Sequence, residues 1–326
     1  MKKSLVILLA LIMIISAMLV GCSGENTPET LKFGAGVYIS APSATDATED
    51  KDGSGKVDVT VAAVTVDANG KIVACALDTA SNTVTFTVDG KAVAVESFKT
   101  KLELGDDYGM KSPYGSTKEW YEHLEAFKNV VKGKTLAEVK AMVVEGNKGN
   151  DEVVAAGCTI MIHEFVGAIE KAYNAATASN VTANDTLKVT AATEQTCSDA
   201  TEDKDGSNKV ATTVFASAVD ANGKIIAASS DCVEVAFTFT TAGASTFDAT
   251  KAVLSKKEQG DNYGMKSPYG SAKEWYEHAS AFDAACIGKT PAEVAGLMAA
   301  DGKGVDTLKA AGCTIYVTGF VKAASK

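Results

Sequence analysis

Tyr108, Lys111, Tyr114 and Trp120 fall within one short stretch, and Tyr263, Lys266, Tyr269 and Trp275 repeat the same residue types at the same spacing. Aromatic faces can wall a planar ligand, and a lysine beside them offers charge to an anionic group such as a phosphate. Core packing is the alternative for the two tryptophans, and a solvated charge the alternative for the lysines. His123 and His278 close the two stretches, but the chain has only three histidines and no Cys-x-x-Cys, so neither a metal centre nor a thiol redox pair is assigned. No serine or cysteine has the strained, glycine-flanked setting of a hydrolase nucleophile, so no catalytic residue is assigned either. Cys75 and Cys158 precede the midpoint, and Cys197, Cys232, Cys286 and Cys313 follow it. Both sets are even, as disulfides would need, yet only Cys158 and Cys313 are equivalent; they read as buried thiols, with pairing left open.

These residues sit in a duplicated frame. Gly105 to His123 (GDDYGMKSPYGSTKEWYEH) recurs at Gly260 to His278 with two differences, while the segments just before each copy have diverged. The sequence therefore predicts two tandem domains, 31–176 and 186–326, with a linker at 177–185. In each, alternating Val-rich runs flank Asp67-Ala68-Asn69-Gly70 or Asp220-Ala221-Asn222-Gly223, a hairpin signal, because Asn and Gly tolerate positive φ. A further strand pair is expected at 83–88 and 92–95. Ser116 with Glu119 and Ser271 with Glu274 read as capping boxes that open a helix, and Thr135 with Glu138 and Thr290 with Glu293 open another. Each copy closes on Ala-Gly-Cys-Thr-Ile, at Ala156 to Ile160 and Ala311 to Ile315, expected as a short strand before a last helix that begins at Phe165 in the first copy. Hairpins followed by helices give an α+β fold: in each domain, an antiparallel sheet with helices packed on it. The polar turn TEDKDGS, at Thr48 and Thr201, lacks EF-hand spacing and reads as solvated.

Composition and leader narrow the setting. The chain has 31 basic residues, none of them arginine, against 41 acids, for a formal charge of −10; this disfavours a nucleic-acid partner. Met1-Lys2-Lys3, an apolar run and Leu19-Val20-Gly21-Cys22 resemble a bacterial lipoprotein signal peptide (residues 1–21). The resemblance implies that Cys22 is lipidated and that 22–30 is a tether, placing the protein on the extracytoplasmic face of the cell membrane.

The order of hairpin, loop, helices and Gly-Cys-Thr-Ile followed by Phe-x-x-Ala resembles the FMN-binding domain family. That family comprises extracytoplasmic electron-transfer proteins such as C-type subunits of sodium-pumping NADH:quinone reductases, Rnf G-type subunits and flavinylated surface lipoproteins. Its members end in Ser-Gly-Ala-Thr, with FMN joined through its phosphate to the threonine. The resemblance implies FMN at Thr159 and Thr314, with Gly157 and Gly312 allowing close backbone approach, and a membrane redox partner. This chain departs from the family in its Ala-Gly-Cys-Thr and in Val153 and Leu308, which stand where the family has an aspartate. The implied role is electron carriage rather than turnover. The alternative is a non-enzymatic surface binding module for a small molecule, peptide or partner protein. Replacing Cys22 by Ala is expected to abolish palmitate labelling and move the protein from the membrane to the soluble fraction; unchanged fractionation would refute the anchor.

Overall fold

The computed structural model describes residues 29–111, 115–266 and 270–326. The leader, Cys22, most of the tether, Tyr114 and Tyr269 lie outside the described residues. The first half contributes β1 (Leu31–Ile39), β2 (Ser43–Thr45), β3 (Gly53–Val66), β4 (Ile72–Phe86), β5 (Ala92–Val93) and β6 (Thr177–Val181). The second contributes β7 (Thr186–Ser198), β8 (Gly206–Val219) and β9 (Ile225–Phe239). All pairings are antiparallel, in the orders β5-β4-β3-β1-β6, with β2 also on β3, and β7-β8-β9. The helices are α1 (Lys101–Leu104), α2 (Trp120–Val131), α3 (Leu136–Lys140), α4 (Asp151–Ala156) and α5 (His163–Asn174), then α6 (Lys256–Gln259), α7 (Trp275–Cys286), α8 (Pro291–Val294), α9 (Asp306–Ala310) and α10 (Thr318–Ala324). The fold is α+β.

Both hairpins form where the Asn-Gly turns predict. Asp67 Oδ1 accepts from the amides of Asn69 (2.9 Å) and Lys71 (2.8 Å), and Gly70 takes φ +77°. The separate strand pair expected at 83–88 is a correction. β4 runs unbroken for 15 residues and pairs with β3 down to Gly53 opposite Phe86, leaving only Ala92–Val93 as a new strand. Nothing in Ala80-Ser81-Asn82 breaks the ladder, and the buried Asn82 amide finds a partner across the molecule in Thr212 Oγ1, at 2.9 Å. The expected linker also carries structure, since β6 pairs with β1. The strand expected around Cys158 is absent: Gly157 caps α4 at φ +102°, and one bridge, Met161 to Lys148, replaces a ladder. Burial still alternates there, with Cys158 and Ile162 inside and Thr159 and Met161 outside.

The two sheets face each other. Val57, Val59 and Val61 on β3 pack with Val210 and Val214 on β8 and Phe237 on β9, while Ala62, Val64 and Val66 turn to the helices. This is the period-2 alternation of a strand buried on both faces. Phe86 and Phe239 stack at 4.3 Å, and each ring lies over the glycine opposite it on the neighbouring strand, Gly53 or Gly206. Connections across the interface are reciprocal: Ala47 N donates to Gly243 O and Ala200 N to Gly90 O, both at 2.8 Å. Phe237 is fully buried, and a side chain at Gly55 would run into its ring. Truncating Phe237 to Ala should cost about 3–5 kcal/mol. Because this core is shared, urea unfolding followed by tryptophan fluorescence and by far-UV dichroism should give one coincident transition; two separated transitions would contradict it.

Candidate functional site

The repeated stretch folds around a glutamate. Glu119 accepts from the amides of Met110 (2.8 Å) and Lys111 (3.3 Å), and Glu274 does the same for Met265 (2.7 Å) and Lys266 (3.2 Å). The helix starts three residues later than its serine suggests. Glu119 is the N-cap of α2 and its amide donates to Glu122 at 2.8 Å, with Glu274 and Glu277 repeating this in α7. Ser116 is committed elsewhere. Its hydroxyl donates to Lys118 O at 2.7 Å and lies 3.3 Å from His123 Nε2. The boxes at Thr135 with Glu138 and Thr290 with Glu293 form as expected, with Pro291 in the first turn of α8.

His123 joins this stretch to the Gly-Cys-Thr motif. It is 1% exposed, and its Nδ1 lies 3.1 Å from Gly157 O, with the Thr159 amide alongside at 3.4 Å. A carbonyl only accepts, which assigns the proton to Nδ1. Lys118 Nζ donates to the same carbonyl at 3.2 Å. In the second half His278 Nδ1 stands 2.9 Å from Gly312 O and 3.3 Å from the Thr314 amide. A Cβ at Gly157 or Gly312 would collide with the ammonium of Lys118 or Lys273. These glycines are required for their left-handed φ of +102° and +104°, and a side chain there would also push the flexible end of the lysine aside. The side chains of Thr159 and Thr314 are exposed, while Cys158 and Cys313 are fully buried and burial raises both thiol pKa values, that of Cys313 to about 11.

Beside Thr159 opens a cleft of about 280 Å³, walled by Tyr108, Met110, Trp120, Ile160, Met161 and Phe165. Trp120 is both wall and core: it is 4% exposed and meets Phe165 edge-on, at 5.7 Å. At the cleft lies Lys101, Nζ 5.2 Å from the Tyr108 ring centroid and 5.5 Å from that of Trp120. The first half therefore brings Tyr108 and Trp120 together around Lys101, with Gly157 and Thr159 in the segment that leads into the Ile160 and Met161 wall of the cleft, and the second half sets Tyr263 and Trp275 around Lys256 in the same way. Lys111 and Lys266 are not brought in as free cations. Each forms an ion pair at 2.7 Å, with Glu122 or Glu277, which holds the lysine pKa up and the glutamate pKa down. Sequence reasoning missed Lys101, Lys118, His163 and the tethering role of His123. Lys118 lay inside the repeated stretch, and Lys101 was marked by a capping box just before it, Thr100 with Glu103, matched by Ser255 with Glu258.

A buried aspartate fixes each short helix. Asp78 Oδ1 accepts from the amides of Thr79 (2.7 Å) and Leu102 (3.2 Å), and Asp231 Oδ1 from those of Cys232 (2.7 Å) and Lys257 (3.0 Å). Burial raises both carboxyl pKa values, that of Asp78 to about 6, with the hydrogen bonds opposing it.

No family model matches the chain, and no solved structure matches it. A 44-residue stretch, 14% of this chain, is 48% identical to part of a chlorophenol reductase from Desulfitobacterium hafniense, of which it covers 14%. Among the described residues no helix is long and apolar enough to cross a membrane, and no group of three or more His, Cys, Asp or Glu side chains is placed to hold a metal ion.

The raised Asp78 pKa gives a pH prediction. An unfolded aspartate titrates near 3.9, so between about pH 4 and 6 the folded state binds more protons than the unfolded one, and stability falls as pH rises through that window. Asp78 should account for a loss on the order of 2–3 kcal/mol by pH 7, a component that Asp78→Asn removes. Urea titrations of both proteins at pH 4 and pH 7 test this, and equal pH dependence would show that Asp78 is already ionised in the native state.

Proposed function

We propose that this protein is a lipid-anchored electron carrier on the extracytoplasmic face of the membrane, with FMN joined through its phosphate to Thr159 and Thr314. The observation that carries the proposal is the joining of two distant motifs. The retained nineteen-residue stretch reaches Gly157 and Gly312 through His123 and His278, beside an exposed threonine, in both halves. The residues present fit the group. Thr159 offers an accessible hydroxyl, Lys118 supplies charge beside the phosphate position, and Tyr108, Trp120, Ile160 and Met161 offer an apolar wall to a planar ring. Bound flavin would supply one- and two-electron exchange; the chain's own part is to hold the ring, exclude water from one face and set the local charge.

One further observation agrees with the proposal and one departs from it. The relative sharing the 44-residue stretch is named a reductase, in keeping with a redox role. Val153 and Leu308, which replace the family's aspartate, are core residues, 0% and 1% exposed, while Asp151 and Asp306 stand in the first turns of α4 and α9. A transferase acting here must therefore read a surface in which the carboxylate sits two residues earlier. A reversible binding module using the same clefts is the second reading; it needs no threonine chemistry.

Intact mass and visible absorption, measured after export with a flavin transferase, separate the two. The unchanged chain should gain two FMN groups, Thr159→Ala or Thr314→Ala one, and the double variant none. A colourless protein at its bare mass would remove covalent flavin and leave reversible binding.

A further inference from the structure

Each half buries one lysine at its aromatic pair, and the two halves neutralise it from different strands. Lys101 and Lys256 are 9% and 8% exposed. A desolvated ammonium requires a counter-charge. In the first half this is Asp58 on β3, 3.8 Å from both Lys101 and Lys56, with its cross-strand neighbour Ser81 donating to it at 2.6 Å. In the second half the place of Asp58 is taken by Ala211, and the residue across the ladder is Glu234 on β9. Glu234 meets Lys256 at 2.9 Å and Lys209 at 3.2 Å. The carboxylate has crossed one rung of the ladder, yet the set of two lysines sharing one acid has stayed, and so have both rings.

That exchange separates the ammonium from its partner. A buried ion pair is often replaceable by apolar residues without loss of stability, so a purely structural pair had no need to be rebuilt from the opposite strand. Burial works against the charge on Lys256, but the Glu234 carboxylate, with Tyr263 beside it, outweighs it and holds its pKa above the ordinary lysine value; burial keeps the neighbouring Cys232 a neutral thiol. Burial likewise raises the Glu234 pKa, and Lys256 with Lys209 overcomes it and keeps the acid ionised.

We propose that Lys101 and Lys256 are the cations that set the charge beside the two ring pairs, each in a lysine–acid–lysine set of one net positive charge; Glu164 also lines the first cleft and offsets its set there, and Gly319 stands at its place in the second half. This rests on the flavin reading. A fixed ammonium in a dry cleft favours whichever form of the bound ring carries more negative charge, so it raises the midpoint potential and tightens binding. Lys101 and Lys256 are positioning and tuning residues rather than catalytic ones.

The test uses the full chain with Cys22→Ala, to prevent lipidation, and Thr314→Ala, to leave one site for FMN. Lys101→Met should lower the midpoint potential of the bound flavin, measured in equilibrium titration with dithionite as electron source, and Asp58→Asn should raise it. Because Lys101→Met strands a buried carboxylate, the double variant Lys101→Met with Asp58→Asn, which keeps Lys56 and so the net charge of the parent set, serves as a folded control and should lie between the two single variants, near the parent. Covalent FMN with no shift, or with shifts of one sign in both single variants, would overturn the inference and leave the flavin reading standing. If the parent carries no covalent FMN, free FMN is titrated by its fluorescence. Several-fold weaker binding in Lys101→Met and tighter binding in Asp58→Asn would then uphold the charge assignment, equal affinities would overturn it, and no quenching at all would overturn both readings.

Discussion

The carbonyl of Gly157 is the point on which the site depends. A glycine in left-handed conformation ends α4 and turns its carbonyl toward the start of α2, where His123 and Lys118 both reach it. Without this contact the Thr159 segment would be a free turn between two helices. With it, an exposed threonine is held next to Ile160 and Met161, which line the aromatic cleft. The histidine is almost wholly buried, so its partners are fixed polar groups rather than water, and the bond is worth more there than at the surface. Both copies of the repeated stretch end on this histidine, which ties each to its glycine.

The sheets fix how the sites lie relative to the core. β3 and β8 each turn one face to the opposite sheet and one to the helices, so the site helices rest on strands that are themselves clamped. The glycines beneath Phe86 and Phe239, and the reciprocal backbone bonds of Ala47 and Ala200, make the interface alike from both sides. Separate cores do exist under the helices of each half, but the sheet interface draws valines from both. A site on either helix layer is thus backed by a core to which the other half contributes.

Much of this was legible in the sequence. The Asn-Gly turns, the α+β order and the Thr135 and Thr290 capping boxes follow from local pattern, and local pattern is what short-range chemistry writes into a chain; Gly157 and Thr159 were singled out only by resemblance to a family. What was not legible depended on competition between partners. Ser116 has the right residue type for an N-cap, but its hydroxyl is used on Lys118 and Glu119 takes the position instead. Lys111 looked free beside the aromatics because its partner, Glu122, is reached only once the helix has formed. Cys158 to Ile162 alternates in burial as a strand does, yet no neighbouring strand lies alongside, and alternation cannot report that.

The two halves share a plan without being equal. The cleft of the first is bordered by Met161, His163 and Glu164, and the corresponding residues of the second half are Tyr316, Thr318 and Gly319. His163 Nδ1 is buried without a hydrogen-bond partner, a cost that a structure keeps only where a ligand atom or other requirement balances it. In the second half Trp275 stacks on Phe320 at 5.4 Å and 21°, whereas Trp120 meets Phe165 at 74°. The same ring pair is thus set at a different angle in the two halves, and one half offers an imidazole that the other lacks. A ligand held at the two ring pairs would therefore meet unlike surroundings, and the two halves are not interchangeable copies of one site.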